Sequence, residues 1–150
     1  RQTPLGVVLT GDTASIRGPE RSIGYRWFTD PASRGLYAEE DHAFLTRLWA
    51  SGIRQVLAER GRPSRAAMLL DLLLERSAEF RSVWALQEVG LRPQEVKRFR
   101  HPEVGVLELA CQTLIDPGQS HFLLVYTAAP GSDSAEKLQL LSVIGSQSLV

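Results

Sequence analysis

The stretch that decides the fold is Val96-Lys97-Arg98-Phe99-Arg100-His101, with the two runs that follow it. These are Val104-Gly105-Val106-Leu107-Glu108-Leu109-Ala110-Cys111-Gln112-Thr113-Leu114 and His121-Phe122-Leu123-Leu124-Val125-Tyr126-Thr127-Ala128. The middle run alternates. Gly105, Leu107, Leu109 and Cys111 share one parity, and Val104, Val106, Glu108 and Ala110 share the other. Successive side chains of a strand point to opposite faces, so a period of two reads as β structure. Asp116-Pro117-Gly118-Gln119 between the last two runs reads as a hairpin turn. Three antiparallel strands are therefore expected: Val96 to His101, Val104 to Leu114 and His121 to Ala128.

The faces of these strands differ. If Phe99 points to the core, Lys97 and His101 share its side, and Arg98 and Arg100 face away. The charges around Phe99 fit either an anion-binding patch beside a sheet-lined pocket or a solvated edge strand protected against aggregation. In the third run Phe122, Leu124 and Tyr126 lie on one side and His121, Leu123 and Val125 on the other, so both sides are apolar. An antiparallel sheet usually wets one face. The second face is thus expected to be covered, by the chain's own helices, by a second copy or by a further domain.

Upstream the period is helical. From Glu39 to Arg60, Phe44, Leu45, Leu48, Trp49, Ile53, Val56 and Leu57 form a stripe. Glu39, Glu40 and Asp41 stand at its start and Arg60 at its end, as the helix dipole favours. Gly61 and Pro63 close it. Ser64 caps a second helix to about Arg76, apolar on nearly all sides and expected to be buried. Ser77 caps a third, with Phe80, Val83, Trp84 and Gln87 along one face. Before these, Pro4 to Leu9 reads as a short apolar turn or helix and Glu20 to Phe28 as two helical turns with Ile23, Tyr25 and Trp27 inward. Thr29-Asp30-Pro31 ends that piece, and Pro31 to Tyr37 forms a short turn. After the strands, Ser134 to Ile144 reads as a helix with Leu138, Leu141 and Ile144 on one side and a capping box at Asp133 and Glu136. Helices, then antiparallel strands, then a helix make an α+β layout.

Composition narrows the function. The chain has 150 residues, 43% hydrophobic and 23% charged, which fits one ordinary globular domain over residues 1–150. Lys+Arg and Asp+Glu are each 17. A balanced charge argues against nucleic-acid binding by this chain alone and against a polybasic membrane patch. No stretch approaches the roughly 20 apolar residues of a membrane span. One cysteine, Cys111, excludes an intrachain disulfide and suits a cytoplasmic setting. The start at Arg1, without Met or a signal-peptide core, is expected to mark a boundary within a longer protein.

Signatures of catalysis are lacking: there is no Gly-rich phosphate loop, no His-x-x-x-His and no Gly-x-Ser-x-Gly. His42, His101 and His121 are scattered singly. His42, in the first turn of a helix, reads as a surface residue, and Glu39-Glu40-Asp41 as a solvated helix start instead of a metal site. Cys111, mid-strand among apolar neighbours, reads as an inert thiol. No catalytic residue, metal or cofactor is expected, and the chain is not expected to be an enzyme. The aromatic residues Trp27, Phe28, Trp49, Phe80, Trp84, Phe99, Phe122 and Tyr126 are core by default; several could instead line an apolar ligand cavity between helices and sheet.

Four blocks carry a resemblance. They are Arg26-Trp27-Phe28-Thr29-Asp30-Pro31; Ser77-Ala78-Glu79-Phe80 with Trp84; Lys97 through Gly105 with Leu107-Glu108-Leu109; and Tyr126-Thr127-Ala128-Ala129-Pro130-Gly131-Ser132 with Ser134-Ala135-Glu136. In this order and spacing they resemble the C-terminal ligand-binding domain of MmyB-like helix-turn-helix transcription regulators, from about Pro4 to Ile144. The resemblance implies a PAS-like domain, an antiparallel sheet flanked by helices, that binds a small hydrophobic ligand such as a fatty acid. It implies a bacterial protein whose DNA contacts are made by an attached helix-turn-helix domain absent from this chain. It also implies that the start at Arg1 cuts off the first strand of the sheet. The family often has histidine three residues after the helix tryptophan; here Gln87 follows Trp84, which leaves a neutral amide.

The ligand-binding residues expected on this basis are Trp27, Trp84, Gln87, Arg98, His101, Leu107, Leu109, Phe122 and Tyr126. A carboxylate would be met by His101, Arg98 or Arg26, in that order. The competing expectation is a ligand-free dimerisation module of the same regulator, a homodimer joined through the doubly apolar third strand.

Overall fold

A computed structural model describes residues 1–116 and 121–147. The chain folds as two compact units. One comprises Arg1–Ala14, Leu36–Ala38 and Gln94–Val150; the other comprises Ser15–Gly35 and Glu39–Pro93.

The first unit is built on a sheet of three strands in the order β1-β2-β3: β1 (Val96–His101), β2 (Gly105–Asp116) and β3 (His121–Thr127). Both pairings are antiparallel, as the alternation requires. The expected turn at 117–119 lies outside the described residues. The register sets Phe99 opposite Leu107, Lys97 opposite Leu109 and Cys111 opposite Tyr126. Phe99, His101, Leu107 and Leu109 therefore share one face and are buried, while Arg98 and Arg100 turn the other way. Tyr37 bridges to Phe99 along the outer edge of β1, and the Ala38 amide donates to the Arg98 carbonyl.

Two helices complete this unit, α1 (Pro4–Thr10) and the terminal helix α6 (Asp133–Gln147). The Thr3 hydroxyl caps α1, accepting from the Gly6 amide. At α6 the cap is Ser132, whose hydroxyl accepts from the Ala135 amide. The expected capping box is not formed; Asp133 pairs instead with Lys137, one helical turn on, at 2.6 Å. Ser134 Oγ accepts from the Glu108 amide and Lys137 donates to the Val106 carbonyl, so the start of α6 lies along the part of β2 that β3 leaves uncovered. Leu141 is its fully buried residue.

The second unit is helical: α2 (Ile23–Thr29), α3 (His42–Arg60), α4 (Arg65–Arg76) and α5 (Ala78–Ala85), with 3-10 turns at Gly18–Arg21, Pro31–Leu36 and Glu39–Asp41. Ser22, Ser64 and Ser77 cap α2, α4 and α5, each hydroxyl accepting from the amide three residues on. The core holds Tyr25, Trp27, Phe28, Leu45, Leu48, Ile53, Leu69, Leu70, Leu73 and Phe80.

Four expectations are corrected here. The piece expected at Glu20–Phe28 is divided, because Ser22 leaves the helical region to cap α2. The long helix begins at His42, after a 3-10 turn in which Asp41 is buried and not solvated. The second helix is not buried all round, since Met68 is exposed. The third ends at Ala85, so Gln87 does not continue its face; it takes the left-handed conformation, φ 54°.

Candidate functional site

On the sheet, Leu107 and Leu109 are fully buried beside Phe99. Tyr126 sits edge-on to Phe99, ring centroids 5.1 Å apart, and Tyr37 lies 5.6 Å from Phe99. Burial pushes the Tyr126 phenol well above its ordinary range, and the neighbouring Cys111 and Tyr37 add to this. Cys111 stands directly across from Tyr126 in the β2–β3 register. The face centred on Phe99 thus keeps an uncharged phenol among apolar side chains, next to a half-buried thiol.

Phe122 has the same strand parity as Tyr126 but is 63% exposed. Leu123 and Leu124, on opposite faces of β3, are exposed as well. Both sides of this part of β3 are therefore open in the single chain.

His101 is buried, and both ring nitrogens meet the backbone. Nε2 lies 3.1 Å from the Val8 carbonyl, and the Glu103 amide donates to Nδ1 at 3.2 Å. An amide only donates, so Nδ1 is the acceptor and the proton sits on Nε2. The imidazole fastens α1 to the end of β1 and leaves no ring nitrogen for a carboxylate, which is where it was expected to act. Arg98 lies on the opposite face of β1 from His101, across from Glu108. Arg26, the third expected cation, donates to the Glu20 carbonyl.

In the helical unit, Trp27 is buried. Its indole N–H donates to Thr46 Oγ1 at 2.9 Å, and the ring of His42 stands edge-on at 5.2 Å. His42 is thus half-buried against an aromatic ring and is not a plain surface residue. Trp84 is half-buried and stacks on Phe80 at 5.5 Å, and Phe80 meets Phe28 edge-on at 5.0 Å. Phe80 therefore links α2 to α5 through rings, and Trp84 forms the outer end of that row. Gln87 is exposed beyond the end of α5.

Each of these tryptophans carries an arginine that sequence reading passed over. The Arg34 guanidinium lies 5.0 Å from the Trp27 ring and that of Arg54 lies 3.8 Å from the Trp84 ring. Separations of seven and thirty residues leave no local pattern by which either pairing could be seen. Arg47 grips Glu88, Nε to Oε2 at 2.7 Å, and this bond holds the Glu88 carboxyl below its ordinary range. Among the described residues no group of His, Cys, Asp and Glu is placed to hold a metal ion. No helix among them is long and apolar enough to cross a membrane.

A search of curated proteins and a search of solved structures each found no match. The family model described as MmyB-like transcription regulator ligand binding domain matches residues 1–141. That span takes in both compact units, the Phe99 face of the sheet and the aromatic row that ends at Trp84, and the chain belongs to this family of transcription-regulator ligand-binding domains.

Proposed function

We propose that this domain senses a small hydrophobic, fatty-acid-like molecule and alters DNA binding by an attached helix-turn-helix domain in a bacterial regulator. The observation that carries the reading is the family match over residues 1–141. The Phe99 face of the sheet supports it, where Leu107 and Leu109 form an apolar interior beside the uncharged phenol of Tyr126. A buried methylene contributes about 0.8 kcal/mol, so an alkyl chain gains gross affinity from such surfaces, offset in part by the cost of ordering it. In the sheet unit the ligand-contacting residues we assign are Leu107, Leu109, Phe122 and Tyr126, with Arg98 as an outlying cation; in the helical unit they are Trp27, Trp84 and Gln87. His101 we assign to holding α1 in place. Ligand binding acts by favouring one of two arrangements of the domain. Native mass spectrometry of chain purified without detergent tests the reading. A mass increment that organic solvent extracts as an apolar compound is expected; bare chain, with an empty extract, refutes it.

A second reading, a ligand-free dimerisation module, draws on β3. Among the described residues this strand pairs only with β2, and it exposes Phe122, Leu123 and Leu124 on both its faces. Sedimentation of wild type against Leu123→Glu decides it: a dimer that the substitution dissociates supports it, and an unchanged mass refutes it.

A further inference from the structure

We infer that Arg54 is an anchor for a ligand carboxylate within the helical unit. The inference rests on the proposal of a fatty-acid-like ligand and names the group that would hold its charged end. Arg34 shows how this unit settles a guanidinium. It faces the Trp27 ring, donates from Nε to the Trp27 carbonyl at 2.9 Å, and grips both carboxylate oxygens of Glu79. Arg54 repeats the first two contacts on Trp84. Its guanidinium lies 3.8 Å over the ring, and Nη2 donates to the Trp84 carbonyl at 2.6 Å. The third contact is missing. Arg54 has no carboxylate partner among the described residues, and its Nε is buried without an acceptor. Glu88, four residues beyond Trp84, is held by Arg47 at both oxygens.

The guanidinium is half-buried and meets no carboxylate, and Nη1, neither hydrogen-bonded nor buried, is the nitrogen an incoming carboxylate can reach for a charge-assisted contact. The ring and the carbonyl fix the guanidinium plane before any ligand arrives, so little further ordering is needed on binding. One planar fork suits a planar carboxylate. A phosphate dianion calls for a second cation, and the guanidinium groups of Arg34 and Arg47 are already neutralised by Glu79 and Glu88. Leu86 and Val89, exposed just beyond α5, offer apolar surface for the chain of an amphiphile.

The test compares decanoate with 1-decanol, which share the alkyl chain and differ in the head group. Calorimetric titration of the wild-type chain is expected to give about tenfold tighter binding of decanoate, the scale of a charge-assisted bidentate contact. In Arg54→Gln decanoate should fall to the level of decanol, with decanol itself unchanged; Arg54→Lys should keep part of the preference. Equal affinities in wild type, or a preference that survives in Arg54→Gln, overturn the anchor and leave the hydrophobic-ligand reading standing. Failure of both compounds to bind overturns the two together. The wild-type comparison decides the matter even where a variant does not fold. A purely structural role for Arg54 would not separate acid from alcohol.

Discussion

His101 and Val8 are 93 residues apart in the chain and joined by a hydrogen bond, Nε2–H to the Val8 carbonyl at 3.1 Å. The same ring accepts from the Glu103 amide. Replacing His101 by Ala leaves both backbone groups without their partner. An unsatisfied buried group costs about 1–3 kcal/mol, and His101→Ala is expected to lose stability on that scale. Urea unfolding checks it; an unchanged midpoint would show that the imidazole bears none of the hold on α1.

The raised Tyr126 phenol has a consequence at alkaline pH. A tyrosine that ionises less readily when folded stabilises the fold fully below its unfolded pKa of about 10 and loses that contribution as pH rises through the folded value. Stability of the wild type should therefore fall from about pH 10 upward. Tyr126→Phe should show a shallower fall in the same window. Identical pH profiles for the two proteins would refute the role of this residue.

Gln87 sits at φ 54°, the only non-glycine residue with positive φ among those described. A left-handed side-chain-bearing residue costs about 1–2 kcal/mol, which glycine avoids. Gln87→Gly is expected to stabilise the chain by about 1 kcal/mol, raising Tm by roughly 2–4 °C. A lower Tm would mean that the amide makes contacts outweighing the strain.

Two apolar residues assigned to the same proposed site should respond in opposite ways. Leu107 is fully buried, and Leu107→Ala should cost about 2–5 kcal/mol. Phe122 is exposed, and Phe122→Ser should stay within about 0.5 kcal/mol in the monomer. Chemical denaturation at low concentration measures both. A large loss for Phe122→Ser would show that β3 is covered in solution.

The indole of Trp27 and the hydroxyl of Thr46 make a buried bond of 2.9 Å. Thr46→Val preserves shape and orphans the indole N–H, so a loss of about 1–3 kcal/mol is expected from thermal unfolding. A neutral result would place water at the indole.

The sequence by itself determined what short-range chemistry controls. The alternation from Gly105 to Cys111 placed β2 and its buried parity, and serines at 64 and 77 announced α4 and α5, because cap and period act within a few residues. The family was legible too, since its blocks lie along the chain in order. Only the tertiary structure decided which polar groups are spent. His101 read as a cation for a ligand carboxylate, yet the Val8 carbonyl, far away in sequence, accepts the hydrogen bond from its Nε2–H. Arg54 carries no signal in the sequence, yet Trp84, thirty positions on, fixes its plane, and its Nε is buried without a partner. Hydrogen bonds and ring contacts made across such separations depend on how elements pack, and no local spacing encodes them.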